Sequence, residues 1–181
     1  MLRLALGCLF SSIATLAVAD ELESTHLFGF TLGSDVNAVG EKEAESEATG
    51  RFGKASGRYV AAAEAIGVKF IPYQNFSVEP IVSVAGFGIS GVPGLDDRQQ
   101  FTYEATTLEM RYRLFDREKS SFGLTFGFDP HWARVDDING EPVDRYGAAF
   151  LLIADKELVE KVLFAAFNFI YEPNDTRSRL P

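Results

Sequence analysis

The sequence predicts an all-β chain, an antiparallel up-and-down β-barrel whose strands cross a membrane. Three observations support this prediction. Large apolar side chains alternate with glycine, threonine and charged residues at the two-residue period of a β-strand. The connections inferred between these segments alternate between long and short. The longest apolar run, residues 147–154, is far shorter than the roughly 20 residues that a membrane-spanning helix needs.

The N-terminal residues 1–19 have the features of a secretory signal peptide. Arg3 supplies a short positive region, an apolar stretch follows, and Ala19 ends an A-x-A cleavage motif directly before Asp20. A membrane anchor is the weaker interpretation, because the apolar stretch is short and is interrupted by serine and threonine. We expect cleavage between Ala19 and Asp20, which leaves residues 20–181 as one exported barrel domain.

Seven segments of that domain are interpreted as strands. The alternation is cleanest in residues 122–129, where phenylalanine and leucine take one face and glycine, threonine and aspartate the other. Elsewhere it is less regular, since Glu64 interrupts one apolar face and Pro80 another. These weaker segments are assigned from their β-branched and aromatic content. The expected strands start near residues 26, 58, 76, 101, 122, 146 and 162.

The apolar faces are expected to contact lipid. In a soluble barrel the apolar face points inward, whereas in a transmembrane barrel it points to lipid and the polar face lines the lumen. Large rings on one face, and three charges opposite the apolar face of residues 108–114, favour the second arrangement. The expected lipid-facing residues are Phe28, Phe30, Phe122, Leu124, Phe126, Phe128, Leu163, Phe167 and Phe169. The expected lumen charges are Lys69, Glu79, Glu109, Arg111, Arg113 and Asp129.

The inferred connections differ in length at the two ends of the strands. Long external loops and short periplasmic turns are typical of outer-membrane barrels. The long connections are residues 36–57, 91–100 and 133–145, and the short ones are residues 72–75, 116–121 and 155–161. The long connections are acidic, and we interpret them as a solvated rim. Divalent-cation binding, or a short helix over residues 41–48, are alternatives.

The sequence offers little chemistry. Asp129 and His131 share the expected lumen face, but no nucleophile motif accompanies them, so we expect no catalytic site and no enzyme activity. With one Cys and two His, the sequence predicts neither a metal site nor a cofactor. The 17 basic and 26 acidic residues give a formal net charge of −9, which argues against nucleic acid as a partner.

Taken together, the signal peptide, the Phe/Gly alternation and the sorted loops resemble a bacterial outer-membrane β-barrel protein. Residues 122–158, FGLTFGFDPHWARVDDINGEPVDRYGAAFLLIADKEL, resemble uncharacterised outer-membrane proteins of alphaproteobacteria. The resemblance implies an outer-membrane location, with membrane lipid and the barrel-insertion machinery as partners. The expected function is a passive small-solute pore or a structural barrel without catalytic activity. The alternative is a soluble periplasmic, lipocalin-like ligand-binding barrel.

The predicted strand count is odd. Bacterial single-chain barrels have an even number of strands, and seven strands that start in the periplasm would leave the C-terminus outside. The last residue is Pro181, whereas a barrel of this kind usually ends in a strand with a terminal aromatic residue. We therefore expect an incomplete barrel, either a truncated product or an assembly in which a second chain completes the wall.

Overall fold

The computed structural model describes residues 31–160 and 162–179. Within them, no helix has the length and hydropathy needed to cross a membrane. The predicted signal peptide, its cleavage at Ala19 and Asp20, and the predicted lipid contacts Phe28 and Phe30 all lie outside the described residues. The strands are β1 (Lys42–Phe52), β2 (Arg58–Tyr73), β3 (Phe76–Ser90), β4 (Arg98–Phe115), β5 (Gly123–Val135), β6 (Pro142–Val159), β7 (Leu163–Tyr171) and β8 (Asn174–Ser178).

These strands form one antiparallel sheet that curls into a half-barrel. From β1 to β7 each strand pairs with the next along the chain, and β8 pairs with β6. β7 pairs with residues 150–159 of β6, and β8 pairs with residues 143–147 of the same strand. β7 and β8 therefore form one interrupted strand along the same edge of β6. The predicted all-β, antiparallel, up-and-down order is confirmed.

Within residues 31–160 and 162–179, the sheet has two edge strands, β1 and β7. Among the described strands, β1 pairs only with β2, and β7 pairs only with β6. Seven strands in up-and-down order place β1 and β7 in the same direction. The two edge strands therefore point the same way along the sheet.

The first long connection was predicted incorrectly, because β1 lies inside it. Residues 36–57 were expected to be a polar loop with a possible helix, but Lys42–Phe52 pairs with Val60–Phe70 over its whole length. In this register Glu43, Glu45 and Glu47 face the concave side, and small residues alternate with them. The two-residue period of β1 is therefore a period in charge, and the one large apolar side chain of this strand is Phe52 at its end.

The predicted sorting of connections by length is seen only in part, because connection 116–122 at one end of the sheet is as long as connection 91–97 at the other. One end of the sheet, called here the loop end, has the connections 53–57, 91–97 and 136–141. The other, the turn end, has the connections 74–75, 116–122 and 160–162. The strands extend further than their apolar alternation does, so they take up residues that the sequence pattern left in loops.

The two faces of the sheet differ in chemistry. Residues opposite each other in an antiparallel ladder share a face, so the register assigns each side chain to a side. The convex side carries large, exposed apolar residues. They include Phe101, Tyr112, Phe126, Phe150, Leu152, Phe167, Phe169 and Tyr171. The concave side carries small residues, charges and the buried side chains.

A buried apolar cluster fills the concave side at the loop end. We call it the core cluster, and it consists of Tyr59, Ala61, Ala85, Phe87, Ile89, Val92 and Val135. The loop of residues 136–141 lies over it, because the Tyr59 hydroxyl donates to the carbonyl of Ile138 at 2.8 Å and the Gln100 amide donates to the carbonyl of Gly140 at 2.6 Å. Packing and hydrogen bonds together close this end of the concave side.

The assignment of faces predicts unequal effects for two phenylalanines on neighbouring strands. Phe87 points into the core cluster and is 5% exposed, whereas Phe101 is on the convex face and is 77% exposed. We expect Phe87→Ala to lower the free energy of unfolding by about 3 kcal/mol or more, because it leaves a cavity. Phe101→Ala is the matched control, with an expected loss of about 1 kcal/mol or less. Denaturant unfolding of the purified chain measures both, and similar losses would contradict the assignment.

Candidate functional site

The middle of the concave face holds a group of charges centred on Lys69 of β2. The ammonium lies 3.3 Å from the carboxylate of Glu43, is in direct contact with that of Glu45, and lies 4.0 Å from that of Glu79. Glu43 and Glu45 come from β1 and Glu79 from β3, so three strands contribute. Their inward alternation brings these side chains together from both neighbours of β2.

A second group of charges is centred on Arg111 of β4. Its guanidinium contacts the carboxylate of Asp129 on β5 and lies 2.9 Å from that of Glu109. Gly127 is opposite Arg111 in the ladder, and a Cβ atom there would come within 2.8 Å of the guanidinium. The glycine therefore leaves the space that the arginine occupies.

A glycine on the neighbouring strand makes room for Glu79 in the same way. Its carboxylate lies directly over Gly67, where any side chain would collide with it. Glycine weakens a strand, because it loses more backbone freedom on folding than other residues do. Gly67 and Gly127 are thus explained by the bulk of the charged side chain next to each of them.

These two groups form the charge network, which has more acids than bases. Glu43, Glu45, Glu79, Glu109 and Asp129 face two cations, Lys69 and Arg111. Charges removed from bulk water are tolerated when they are paired and hydrogen-bonded, and both cations are. The network is therefore stable on a partly covered face and retains negative charge.

The six predicted lumen charges all occupy the concave face, but they do not form one cluster. Lys69 and Glu79 belong to the first group, and Glu109, Arg111 and Asp129 to the second. Arg113 lies apart at the turn end, where it donates to the side-chain oxygen of Asn75 at 3.0 Å. Glu43 and Glu45 were missed because their segment was assigned to a loop, although their two-residue spacing could have identified them.

Asp129 and His131 do not form an acid–base pair. The Asp129 carboxylate contacts Arg111, and the His131 ring instead lies 3.2 Å from the Asp129 carbonyl oxygen. Its other nitrogen lies 2.8 Å from the side-chain oxygen of Asn174. Across residues 31–160 and 162–179, no group of three or more His, Cys, Asp or Glu side chains is placed to hold a metal ion.

At the turn end, residues 32–40 cross the concave face, and we call this segment the strap. It begins beside β7, where the Leu32 N–H donates to the Asn168 side-chain oxygen at 2.8 Å and the Asn168 amide donates back to the Leu32 carbonyl at 3.0 Å. It reaches β2, where the Gly40 N–H donates to the Ile71 carbonyl at 2.9 Å. The strap thus spans the half-barrel from one side to the other.

Ser34 anchors the strap near its start, two residues after Leu32. Its N–H and its hydroxyl each donate to a carboxylate oxygen of Asp155 at 2.8 Å, and the Thr125 hydroxyl donates to its carbonyl at 2.6 Å. Ser34 is fully buried. Gly123 makes the approach possible, since a Cβ atom there would collide with both Ser34 and Asp155. Side chains of β5 and β6 here satisfy backbone groups that a strand ladder would otherwise satisfy.

Arg117, in the turn after β4, adds an ionic contact to the same anchor. Its guanidinium lies 2.8 Å from the carboxylate of Asp35 on the strap and 3.0 Å from that of Asp155. Burial alone would lower the pKa of Arg117, but the two carboxylates outweigh it and raise the pKa above its ordinary value. The arginine therefore remains charged and holds the strap against the turn end.

On the convex face, aromatic side chains cluster near the loop end. The Trp132 ring lies 5.9 Å from that of Tyr103 and 6.3 Å from that of Tyr146. Its indole N–H donates to the Asp144 carboxylate at 3.3 Å, and Arg179 also contacts that carboxylate. An apolar ring with a polar tip beside charged groups is the arrangement found at membrane–water interfaces.

The predicted lipid-facing residues within the described chain have a common placement. On β5 and β7 they alternate with the concave positions and lie on the convex face. Phe122 precedes β5, and its ring packs edge-to-face with that of Phe115 at 5.5 Å. The convex residues are Leu124, Phe126, Phe128, Leu163, Phe167 and Phe169.

Because Gly123 leaves the space for the contact between Ser34 and Asp155, we expect the stability of the fold to be sensitive to substitution of Gly123. We expect Gly123→Ala to lower the free energy of unfolding by about 1–3 kcal/mol, because the new methyl group displaces Ser34 from Asp155. Gly88→Ala is the control, since a Cβ atom at Gly88 meets only one atom, at 4.0 Å. Amide hydrogen exchange at Ser34 should also accelerate in Gly123→Ala alone, and unchanged exchange would contradict the anchoring role.

Comparison with known proteins assigns the chain to a family without assigning an activity. No curated protein and no solved structure matches it. One family profile matches residues 17–180, which include all of the described sheet and the strap. The chain belongs to that family, DUF6662, a family of unknown function.

Proposed function

We propose that this chain is an outer-membrane β-barrel protein, a passive pore or a structural barrel without catalytic activity. The described half-barrel would be part of its wall. One observation carries the proposal. Large apolar side chains are exposed on the convex face, whereas the charges in the middle of the strands, apart from Glu64 on β2, are enclosed on the concave face. A soluble barrel has the opposite distribution, because its apolar side chains must leave water.

The length of the apolar band on β6 supports the proposal. On the convex face, Asp144 and Lys156 bracket the outward residues Tyr146, Ala148, Phe150, Leu152 and Ala154. The eleven residues between the two charges extend about 36 Å along a strand. At a tilt of about 45° this corresponds to about 25 Å across the membrane, which is the height of the apolar band on outer-membrane barrels.

The concave face favours a barrel with a filled interior over an open pore. The core cluster occupies the loop end and the strap crosses the turn end, so both ends of the concave side carry protein. Small barrels of about eight strands have interiors just wide enough for side chains to fill. Within the proposal, the structural barrel is therefore the better supported of the two roles.

We propose, in addition, export by the N-terminal signal peptide and insertion by the barrel-insertion machinery, with outer-membrane lipid as the surrounding partner. Two features support this location: the resemblance of the sequence to outer-membrane barrel proteins, and a convex face whose apolar side chains are suited to contact with lipid. A charge on such a face costs about 2–4 kcal/mol for Arg or Lys at the bilayer midplane and little near the interface.

The only tryptophan of the chain allows a direct test. We expect the fluorescence of Trp132 in reconstituted vesicles to be quenched most by lipids brominated near the headgroup, because Trp132 lies at the edge of the apolar band. The double variant Trp132→Phe/Phe128→Trp moves the probe to mid-band and should be quenched most by deeply placed bromine. Recovery of the chain in osmotic-shock fluid, with no quenching in either protein, would instead support the soluble lipocalin-like alternative.

Depth along β6 gives an independent prediction. We expect Phe150→Arg, at the middle of the band, to destabilise the folded chain in vesicles by about 2–4 kcal/mol. Tyr146→Arg, at the edge of the band on the same strand, should cost about 1 kcal/mol or less. Unfolding in lipid vesicles measures both variants. Equal costs at the two positions would be incompatible with a lipid-facing band.

A further inference from the structure

A cavity of about 230 Å³ lies on the concave face between the core cluster and the charge network. Its floor consists of the methyl groups of Ala61, Ala63 and Ala65 on β2 and Ala85 on β3. The inward position after Ala85 is Phe87, which forms one wall. The cavity exists because three successive inward positions on β2, and the position on β3 that pairs with the middle one, carry alanine.

Carboxylates dominate the rim of the cavity. Glu47 of β1 and Glu104 of β4 approach it from opposite sides of β2 and β3. Arg51 also lines it, but its guanidinium lies 3.0 Å from the carboxylate of Asp137 and donates to the carbonyl of the same residue at 2.7 Å. Arg51, the cation on the rim, is therefore already paired with Asp137. The rim retains the negative charge of Glu47 and Glu104.

A β-bulge turns Glu104 towards the cavity. Ser83 of β3 pairs with Ala105, whereas the next residue, Val84, pairs with Tyr103, so Glu104 is the extra residue of β4. A bulge redirects a side chain that regular alternation would place otherwise, and bulges are frequent beside functional sites. Glu104 is half-buried, and it lines the cavity beside the Ser83 hydroxyl.

We propose that this cavity binds a small organic cation, namely a primary ammonium group on a short apolar chain. The ammonium is held by the carboxylates of Glu47 and Glu104, and the apolar chain lies on the alanine floor against Phe87. An anion is disfavoured, because the rim cation is already paired. The ligand is small, since pockets for drug-sized molecules measure about 300–1,000 Å³.

The experiment compares three probes of equal length, n-butylammonium, butyrate and 1-butanol. Each is titrated into the full chain folded in detergent micelles, with binding followed by isothermal calorimetry and by chemical shifts of the alanine methyl groups. We expect saturable binding of n-butylammonium, with shifts at Ala63 and Ala85. Binding of butyrate and 1-butanol should be at least tenfold weaker, because neither carries a positive charge.

Three variants localise the binding. Glu104→Gln should weaken n-butylammonium binding at least tenfold, which corresponds to about 1.4 kcal/mol. Ala63→Leu should abolish it by filling the floor. Glu64→Gln is the matched control, because Glu64 neighbours Ala63 in sequence but belongs to the convex face, and it should leave the affinity unchanged. Heat-dependent gel mobility confirms that each variant is folded.

Several outcomes would overturn the proposal. These are non-saturable binding of n-butylammonium, equal affinity for butyrate or 1-butanol, or the same weakening in Glu64→Gln as in Glu104→Gln. Retention of binding by a folded Ala63→Leu variant would have the same consequence. The binding measurement does not depend on the position of Trp132 in a bilayer, so the cavity proposal and the membrane proposal can fail independently.

Discussion

The backbone ladder between neighbouring strands is the constraint on which the rest of this structure depends. Opposed residues share a face, so one register decides together that Phe126, Leu152 and Phe169 point outward and that Arg111 and Asp129 point inward. A shift of one residue on any strand would move its charges to the convex face. The charge network and the apolar face are therefore two consequences of a single pairing.

Glycine and alanine residues shape the concave face as much as its larger side chains do. Gly67 leaves room for Glu79, Gly127 for Arg111, and Gly123 for the strap. The alanine floor leaves a cavity in the same way. At each of these positions the strand loses side-chain packing. In exchange, the space holds a charged side chain, the strap or the cavity, each of which a larger residue would exclude.

Strand direction limits how the described sheet can close. β1 and β7 run the same way, so an antiparallel ladder cannot join them directly. A second copy in the same orientation cannot complete the wall by antiparallel pairing either, because its two edge strands run in this same direction. Antiparallel closure requires an odd number of further strands, because each added strand reverses the direction. If the sheet lies in a bilayer as proposed, each backbone group left unpaired at these edges would cost several kcal/mol.

The sequence by itself determined the strand type, the up-and-down order and the face of residues such as Phe126 and Arg111, because two-residue alternation is a local property. It did not reveal β1, whose alternation is in charge, nor the strap, whose backbone is satisfied by Asp155 and Asn168 more than 100 residues away. Only the tertiary structure decided which charges pair and where the cavity lies. Both depend on side chains that the register brings together from different strands.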